Sequence, residues 1–211
     1  MTLTKVLIAN RGEIAIRIAR AAAELGLGTV VVYSEDDSSS LHAGVADTAE
    51  ALRGTGAAAY LDVGQIVEAA ATAGCDAIHP GYGFLAENSE LARACAEAGI
   101  VFVGPSPAAL DLFGDKTRAR ELAESLGVPV LAGRSEAVSE EKAEQFFAEL
   151  GGAGMMIKAV GGGGGRGMRV VREEAELAEA YARARSEAGA AFGNNAVYVE
   201  RLVERARHVE V

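Results

Sequence analysis

The chain has 211 residues, of which 50% are hydrophobic and 24% charged, a balance typical of a folded globular protein. With 30 acidic and 20 basic residues, the net charge of −10 disfavours nonspecific binding to nucleic-acid phosphates. A local basic binding site is still compatible with this net charge, because Arg166, Arg169 and Arg172 lie close together in the sequence. No apolar run approaches the roughly 20 residues of a membrane span, and no cleavable signal pattern opens the chain. We therefore predict a soluble cytoplasmic protein of one or two domains that binds neither nucleic acid nor membrane.

The first half of the chain alternates short β-rich runs with helical periodicity. Strands are predicted at residues 6–9, 29–33, 77–79 and 100–103, and helices from residues 13, 62 and 89 onward. Asp62 is a good helix N-cap, because Gln65 follows three residues later in a box-like arrangement. Strands that alternate with helices predict the α/β class, with a parallel, doubly wound sheet up to about residue 104.

The order of elements changes after Pro105 and Pro107. The pattern predicts helices at residues 107–113, 115–126, 139–150 and 173–188, and strands at residues 155–160, 168–172 and 197–203. Glu179 and Arg183 lie four residues apart on the last predicted helix, a spacing that favours an ion pair. This order predicts a small α+β unit hinged to the first domain.

A glycine-rich segment at residues 158–168, Lys-Ala-Val-Gly-Gly-Gly-Gly-Gly-Arg-Gly-Met, is the sharpest functional signal. Without Cβ atoms, successive backbone N–H groups can turn towards phosphate oxygens, and Lys158 would add a positive charge. Predicted strands on both sides would make the segment a hairpin loop able to close over a ligand; a flexible linker is the alternative. The segment is not a Walker A loop, since no Gly-Lys-Ser/Thr leads into a helix. Residues 10–13, Asn-Arg-Gly-Glu, also lack the dinucleotide fingerprint, so a nicotinamide site is not predicted.

Three further segments are candidates for ligand contact. Lys116 lies at a predicted helix start, where a cation opposes the helix dipole, although simple surface solvation would also explain it. Residues 79–84, His-Pro-Gly-Tyr-Gly-Phe, follow a strand at the carboxyl end, where open parallel sheets bind ligands; a rigid turn with packed aromatic rings is the alternative. Residues 200–202 end a strand, and we expect an exposed backbone there that can pair with an adenine edge.

Taken together, these segments resemble biotin carboxylase, the first catalytic component of acetyl-CoA, propionyl-CoA, pyruvate and related biotin-dependent carboxylases. The matching motifs keep the family's order and spacing at residues 7–15, 79–88, 102–105, 114–116, 158–168 and 207–210. The resemblance implies a Rossmann-like, pre-ATP-grasp domain followed by an ATP-grasp lid subdomain. The implied boundaries are 1–114 for the first domain, 115–129 for a helical linker, 130–203 for the lid, and 204–211 for the start of a C-terminal subdomain.

The resemblance also implies roles for individual residues. The family's ATP contacts match Lys116, Lys158, Gly163, Gly164, Gly165, Met168, Glu200, Arg201, Leu202, Val203 and His208. Among these, the two lysines would lie nearest the phosphates, the glycines would form the lid loop, and residues 200–203 would run beside adenine. Tyr82 and Gly83 lie in the loop that faces the biotin end of the site in the family.

The implied reaction has two steps: ATP and bicarbonate give carboxyphosphate, whose carboxyl group then passes to N1 of biotin on a carrier protein. Magnesium or manganese would neutralise the phosphate oxygens. The implied partners are biotin carboxyl carrier and carboxyltransferase components, and a homo-oligomer is compatible with the family. The family's metal-binding carboxylates, its bicarbonate and biotin contacts and its catalytic base are expected after Val211. We therefore expect no catalytic or metal-binding residue in this chain and no turnover by it alone; biotin-stimulated ADP release would refute that.

Two alternatives stay open at this point. Another ATP-grasp ligase, of the carbamoyl-phosphate synthetase or purine-pathway type, shares the lid, but residues 10–13 and 79–83 favour biotin carboxylase. A non-catalytic nucleotide-binding or interaction module is opposed by the presence of Lys116, Lys158 and the intact glycine-rich segment. One departure from the family lies at residues 151–155, Gly-Gly-Ala-Gly-Met, where relatives usually carry Gly-Tyr-Pro before the strand; this change would loosen the lid.

Overall fold

The computed structural model describes residues 2–134, 136–161, 167–207 and 209. The chain divides into two compact units, Met1–Asp111 and Leu112–Val211. Across these described residues, none of the helices has the length and apolar character needed to cross a membrane.

The first unit is built on a five-stranded sheet in which every pairing is parallel, with strand order β3-β2-β1-β4-β5. Its strands are β1 (Lys5–Ile8), β2 (Gly28–Tyr33), β3 (Thr48–Ala51), β4 (Ala77–His79) and β5 (Val101–Phe102). Its helices are α1 (Gly12–Glu24), α2 (Gly56–Ala59), α3 (Val63–Thr72) and α4 (Ser89–Glu97), with short 3₁₀ helices at Glu35–Asp37 and Leu41–Gly44; α5 (Pro107–Phe113) crosses the division. The predicted parallel sheet is confirmed. Strand β3 was not predicted, because its sequence Thr-Ala-Glu-Ala lacks a β-rich run.

Helices cover both faces of this parallel sheet. On one face, Leu7 and Ile78 pack with Ile66 of α3 and Leu91 of α4. On the other face, Ile8 and Val31 pack with Ala15, Ile18 and Ala19 of α1. Adjacent residues of β1 therefore point into different clusters and are both fully buried, as expected for an inner parallel strand.

The order of the strands fixes where loops can form a crevice. From β1 the chain moves to β2 on one side, and it later returns to β4 on the other side of β1. The loops that leave the carboxyl ends of β1 and β4 therefore flank the point where the strand order reverses, which is the usual place for ligands in open α/β sheets.

The second unit contains a four-stranded antiparallel sheet with strand order β6-β9-β7-β8. Its strands are β6 (Gly133–Arg134), β7 (Met155–Ala159), β8 (Met168–Val171) and β9 (Val197–Arg201). Its helices are α6 (Lys116–Ser125), α7 (Glu140–Glu149) and α8 (Leu177–Phe192), with a 3₁₀ helix at Glu174–Glu176. The predicted Glu179–Arg183 ion pair is present at 2.7 Å.

The apolar core of the second unit lies on one face of its sheet. Met155 and Ile157 of β7, Val171 of β8 and Val199 of β9 pack with Phe146 and Leu177 of the helices α7 and α8. Because side chains alternate along a strand, the intervening residues point to the opposite face. This opposite face, called the far face below, carries Met156, Lys158, Met168, Val170, Tyr198 and Glu200.

Several helices begin at side chains that cap their backbone N–H groups. The predicted cap Asp62 accepts a hydrogen bond of 3.0 Å from Gln65 N at the start of α3. Asn88 accepts one of 2.8 Å from Leu91 N at the start of α4. Ser139 caps α7 in the same way. These caps satisfy donors that would otherwise lack a partner in the first helical turn.

Candidate functional site

The far face brings together three of the predicted ATP-binding residues. Lys158 lies opposite Tyr198 of β9 and Met168 of β8, and Glu200 lies diagonally across from Lys158. Lys158 Nζ donates a hydrogen bond to Glu200 Oε1, and the two side chains are only 25% and 12% exposed. The carboxylate thus holds the ammonium group beside the sheet and offsets its charge.

Tyr198 adds a buried phenol to this pair. Burial raises its pKa to about 12, the negative charge of Glu200 acts in the same direction, and Arg120 of α6 opposes them. Neither Tyr198 nor the ion pair was predicted from the sequence. The sequence places Tyr198 and Glu200 on one face of their strand, because they are two residues apart, but the register that brings Lys158 to the same face is set only in the folded sheet.

The strands β7 and β8 pair up to the base of the glycine-rich segment. Ala159 N donates to Gly167 O at 3.0 Å, and Val160 N donates to Ala196 O at 2.9 Å. At Gly167, which has φ +68°, a Cβ would lie 2.9 Å from the Cβ of Ala159, so a larger residue would separate the two arms. The predicted lid residues Gly163, Gly164 and Gly165, and also Arg166 and His208, lie outside the described residues.

The sequence suggested a basic cluster of Arg166, Arg169 and Arg172. The two of these arginines that the structure describes, Arg169 and Arg172, each pair with a carboxylate. Arg169 points to the helix side and pairs with Glu187 of α8 at 2.9 Å. Arg172 pairs with Glu204 at 3.3 Å. Both arginines therefore contribute to contacts within the second unit.

The predicted exposed backbone at residues 200–202 is wrong in part. β9 lies between β6 and β7, and Glu200 is paired with Gly133 on one side and Met156 on the other. Arg201 N donates to Ala132 O at 2.8 Å, and Leu202 N donates to Gly154 O at 2.7 Å. The sequence pattern could not show that this strand is an inner one, because the two-residue strand β6 is too short to predict.

A cavity of about 450 Å³ lies at the end of β9, lined by Leu131, Gly152, Ala153, Gly154, Arg201, Leu202, Val203 and Glu204. Three of its lining residues, Arg201, Leu202 and Val203, belong to the stretch expected beside adenine. A Cβ at Gly154 would lie 2.8 Å from Leu202 Cδ2. Gly154, which lies in the segment that departs from the family pattern, is therefore closely packed against Leu202.

Lys116 is the first residue of α6 and is exposed. The preceding residue, Asp115, accepts hydrogen bonds of 2.9 Å from Thr117 N and 3.1 Å from Arg118 N. A carboxylate at the N-cap interacts favourably with the helix dipole, and this interaction compensates the unfavourable position of the lysine charge.

In the first unit, Asn10 joins the loops that follow β1 and β4. Its side chain, on a residue only 2% exposed, donates from Nδ2 to Pro80 O at 2.7 Å and to Tyr82 O at 2.8 Å. Its Oδ1 accepts from Arg11 N at 2.8 Å. At Gly81, which has φ +68°, a Cβ would lie 2.8 Å from Asn10 Nδ2, so this close approach requires glycine.

The other end of the second loop is held by stacked aromatic rings. Phe84 has φ +39°, which is strained for a residue with a side chain, and its ring stacks on Tyr60 at 5.2 Å. Tyr60 Oη donates to Asp37 Oδ2 at 2.8 Å, and Arg11 forms an ion pair with the same carboxylate. The guanidinium of Arg11 holds the pKa of Asp37 well below its usual range. This network fixes the end of the loop beside the start of α1.

Tyr82, predicted to face biotin, is 58% exposed. Its hydroxyl donates to Glu13 Oε1, and this hydrogen bond raises the pKa of Tyr82 and lowers the pKa of Glu13. Together with Gly83 it borders a cavity of about 320 Å³, whose other lining residues are Asn10, Arg11, Gly12, Glu13, Ile14 and Phe84. The cavity lies at the reversal point of the strand order.

Comparison with protein families assigns both parts of the chain. Residues 2–110, just over half of the chain, match the family described as the N-terminal domain of biotin carboxylase. Residues 115–211 match the family described as the ATP-binding domain of the carbamoyl-phosphate synthase L chain. The chain belongs to the biotin carboxylase family, as the sequence motifs predicted.

Individual relatives agree with this assignment. A pyruvate carboxylase of Bacillus subtilis is 54% identical over 213 residues, which is 100% of this chain and 18% of that protein. A biotin carboxylase of a Nostoc species is 47% identical over 211 residues, which is 100% of this chain and 47% of that protein. The chain thus spans less than half the length of either relative.

Solved structures of relatives share the fold. A Campylobacter jejuni biotin carboxylase, in a complex with β,γ-ATP, is 41% identical and aligns with a TM-score of 0.91. The alignment covers 96% of this chain and 46% of that chain. The biotin carboxylase domain of Hydrogenobacter thermophilus 2-oxoglutarate carboxylase, bound to MgADP, ADP and bicarbonate, matches 97% and 45% with a TM-score of 0.91 at 43% identity.

Proposed function

We propose that this chain is the nucleotide-binding part of a biotin carboxylase, which uses ATP and bicarbonate to carboxylate biotin on a carrier protein. The observation that carries the proposal is the placement of Lys158 on the far face. There it pairs with Glu200, lies beside Met168 and is the first residue of the glycine-rich segment. Family membership and the nucleotide complexes of the relatives support the same reading.

In the proposed reaction, a bicarbonate oxygen attacks the γ-phosphorus of ATP, ADP leaves, and carboxyphosphate forms. The carboxyl group then passes to biotin N1 as the bond to phosphate breaks, and the leaving phosphate takes up the N1 proton. Negative charge spreads over the transferred phosphoryl oxygens during the first step, so a fixed ammonium group lowers the barrier electrostatically. Lys158 supplies such a group. Its neighbour Glu200 keeps it in place before the nucleotide binds and offsets its charge on a partly buried surface.

The other predicted ATP contacts extend this site. Lys116 would add a second cation near the phosphates, Gly163, Gly164 and Gly165 would cover them as an ATP-grasp lid, and His208 would also contact ATP. Met168 and residues 200–203 would contact the adenine end. The N–H groups of Arg201 and Leu202 already donate to backbone carbonyl groups, so we do not count them among these contacts. We propose the boundaries 1–114, 115–129, 130–203 and 204–211 for the corresponding subdomains.

Magnesium or manganese would supply further charge neutralisation at the phosphates. Within residues 2–134, 136–161, 167–207 and 209, no group of three or more His, Cys, Asp or Glu side chains has the geometry to hold a metal ion. As the family resemblance implies, we propose no metal ligand and no catalytic base within this chain, and the chain alone is predicted not to turn over. Biotin carboxyl carrier and carboxyltransferase components are the proposed partners, in a cytoplasmic enzyme that is able to form homo-oligomers.

The test uses the complete natural polypeptide that contains these residues. We expect ADP release that depends on both biotin and bicarbonate. Lys158→Ala should reduce it by roughly 100-fold or more, in the range found when one preorganised donor to a developing charge is lost. The matched control is Lys142→Ala, which removes the same charge from an exposed pair with Glu136 in the same unit.

Each outcome of this test decides something. Lys142→Ala should leave the rate within about twofold, since exposed ion pairs contribute little. Equal rates for both lysine variants would contradict the role of Lys158. If the unmodified protein releases ADP at a rate that does not depend on biotin, the result would instead point to another ATP-grasp ligase. Nucleotide binding without turnover would point to a binding module.

A further inference from the structure

The loop formed by residues 80–84, called the switch-point loop below, is held in one conformation by buried contacts. It contains Tyr82 and Gly83, the residues that the family resemblance predicts to face biotin. Its Phe84 end is anchored by the stack on Tyr60. At its other end, the peptide groups of Pro80 and Tyr82 both accept hydrogen bonds from the side chain of Asn10.

The orientation of the Asn10 amide follows from its partners. Pro80 O and Tyr82 O can only accept, so they require the NH₂ group, while Arg11 N–H can only donate and requires the carbonyl oxygen. All three of these groups are satisfied by one amide and by no carboxylate. Asn10 itself is 2% exposed, so water does not readily replace it.

The contact also explains the glycine at position 81. Gly81 turns the chain with φ +68° directly over Asn10, at a distance that leaves no room for a Cβ. The left-handed turn and the two hydrogen bonds therefore require each other. Removing either one leaves Tyr82 O and Pro80 O without a donor and allows the loop to take other conformations.

We propose that Asn10 is a positioning residue that fixes the switch-point loop, and with it Tyr82 and Gly83, for the binding of biotin. The inference rests on the proposed function, because it takes the loop to border the biotin end of the site. In this role Asn10 acts through the backbone of residues 80–82, to which its side chain is bonded. A loop held in its binding conformation before the ligand arrives loses less entropy on binding.

The test is Asn10→Asp in the complete natural polypeptide, assayed with free biotin as the variable substrate. The substitution keeps the size of the side chain but places a carboxylate against two carbonyl oxygens. We expect the KM for biotin to rise roughly tenfold or more, as displacements near 1 Å cost up to about 100-fold. The KM for ATP should stay within about twofold, because the proposed ATP contacts lie in the second unit.

Asn88→Asp is the matched control. Asn88 uses its side-chain oxygen as an acceptor from Leu91 N, and an aspartate performs this role equally well. It adds the same charge to the same unit, so both KM values should stay unchanged. Equal rises of the two KM values in Asn10→Asp, or no rise in the KM for biotin, would overturn the role of Asn10 while leaving biotin-dependent turnover intact.

Gly81→Ala tests the same contact from the other side and keeps the proposal testable if Asn10→Asp does not fold. It should raise the KM for biotin in the same selective way. In the double variant the two effects should not multiply, because both act on one contact. Effects that multiply fully would show independent causes and contradict the proposal. If the unmodified protein shows no biotin-dependent turnover, the proposed function fails first, and this inference fails with it.

Discussion

The parallel sheet of the first unit is covered by helices on both faces, whereas the core of the second unit occupies one face of its antiparallel sheet. In the first unit, polar groups such as Asn10 and Asp37 therefore gather at the carboxyl ends of the strands, where loops emerge. In the second unit, Lys158, Tyr198 and Glu200 stand on the far face itself. A sheet whose apolar core lies on one face can carry functional groups along the strands of its other face, while a sheet with apolar cores on both faces offers only its edge.

The largest expected effect is on the free energy of unfolding, and it differs between the two faces of the antiparallel sheet. Val171 is fully buried on the helix side, while its neighbour Val170 is 36% exposed on the far face. We expect Val171→Ala to lower the free energy of unfolding by about 2 kcal/mol, from lost burial and a residual cavity. Val170→Ala should cost less than about 0.5 kcal/mol. Urea unfolding of both variants measures this difference, and equal losses would show that the far face is as fully packed as the other.

A second effect concerns the polar edge of the parallel sheet. Asp37 accepts hydrogen bonds from Arg11, Tyr60 and Ser40, and Tyr60 is fully buried. Asp37→Asn replaces one acceptor oxygen with a donor, so we expect a loss of about 1–2 kcal/mol at neutral pH. Glu68→Gln, which breaks the exposed pair with Arg53 in the same unit, should change stability by less than about 0.5 kcal/mol.

The same carboxylate makes the first unit sensitive to acid. Because the pKa of Asp37 is lower in the folded protein than its unfolded value of about 3.9, its contribution is present above that pH and is lost as the pH falls below it. Acid titration of stability should therefore be less steep for Asp37→Asn than for the unmodified protein. An unchanged slope would mean that the Arg11–Asp37 pair does not contribute.

The smallest expected effect is on the pKa of Tyr198, and it measures how far Glu200 acts on this residue of the far face. Burial is the larger cause of the raised pKa of Tyr198, about 12, and the charge of Glu200 is the next. Glu200→Gln should therefore lower this pKa but leave it above the ordinary value of about 10. Ultraviolet titration of tyrosinate, with Tyr198→Phe to assign the signal, measures the change; Glu204→Gln is the control and should leave it unaltered.

The raised pKa of Tyr198 also has a consequence for stability. The folded protein holds this proton more tightly than the unfolded chain, so the contribution is fully present below about pH 10 and is lost as the pH rises towards about 12. Tyr198→Phe should reduce the alkaline loss of stability without abolishing it, because burial also raises the pKa of the Cys75 and Cys95 thiols. A variant that loses stability over the same range to the same extent would show that other groups cause it.

The sequence by itself determined the family, the α/β class, the parallel sheet and most element positions, because these depend on local signals. Hydrophobic periodicity identifies β1 and α1, a side-chain cap begins α3 at Asp62, and glycines mark the hairpin after β7. Each of these signals acts over a few residues, so a reader of the chain can find it.

Only the tertiary structure decided which distant groups meet. The Asn10 contact with Pro80 and Tyr82 spans 70 residues or more, and the Lys158–Glu200 pair spans 42. β9 is an inner strand because it pairs with the two-residue strand β6 on one side and with β7 on the other. One N–H group expected to be exposed, that of Arg201, is bonded on the β6 side, and another, that of Leu202, on the β7 side. Such pairings are set by strand order and register, and these minimise the free energy of the whole sheet rather than of any local segment.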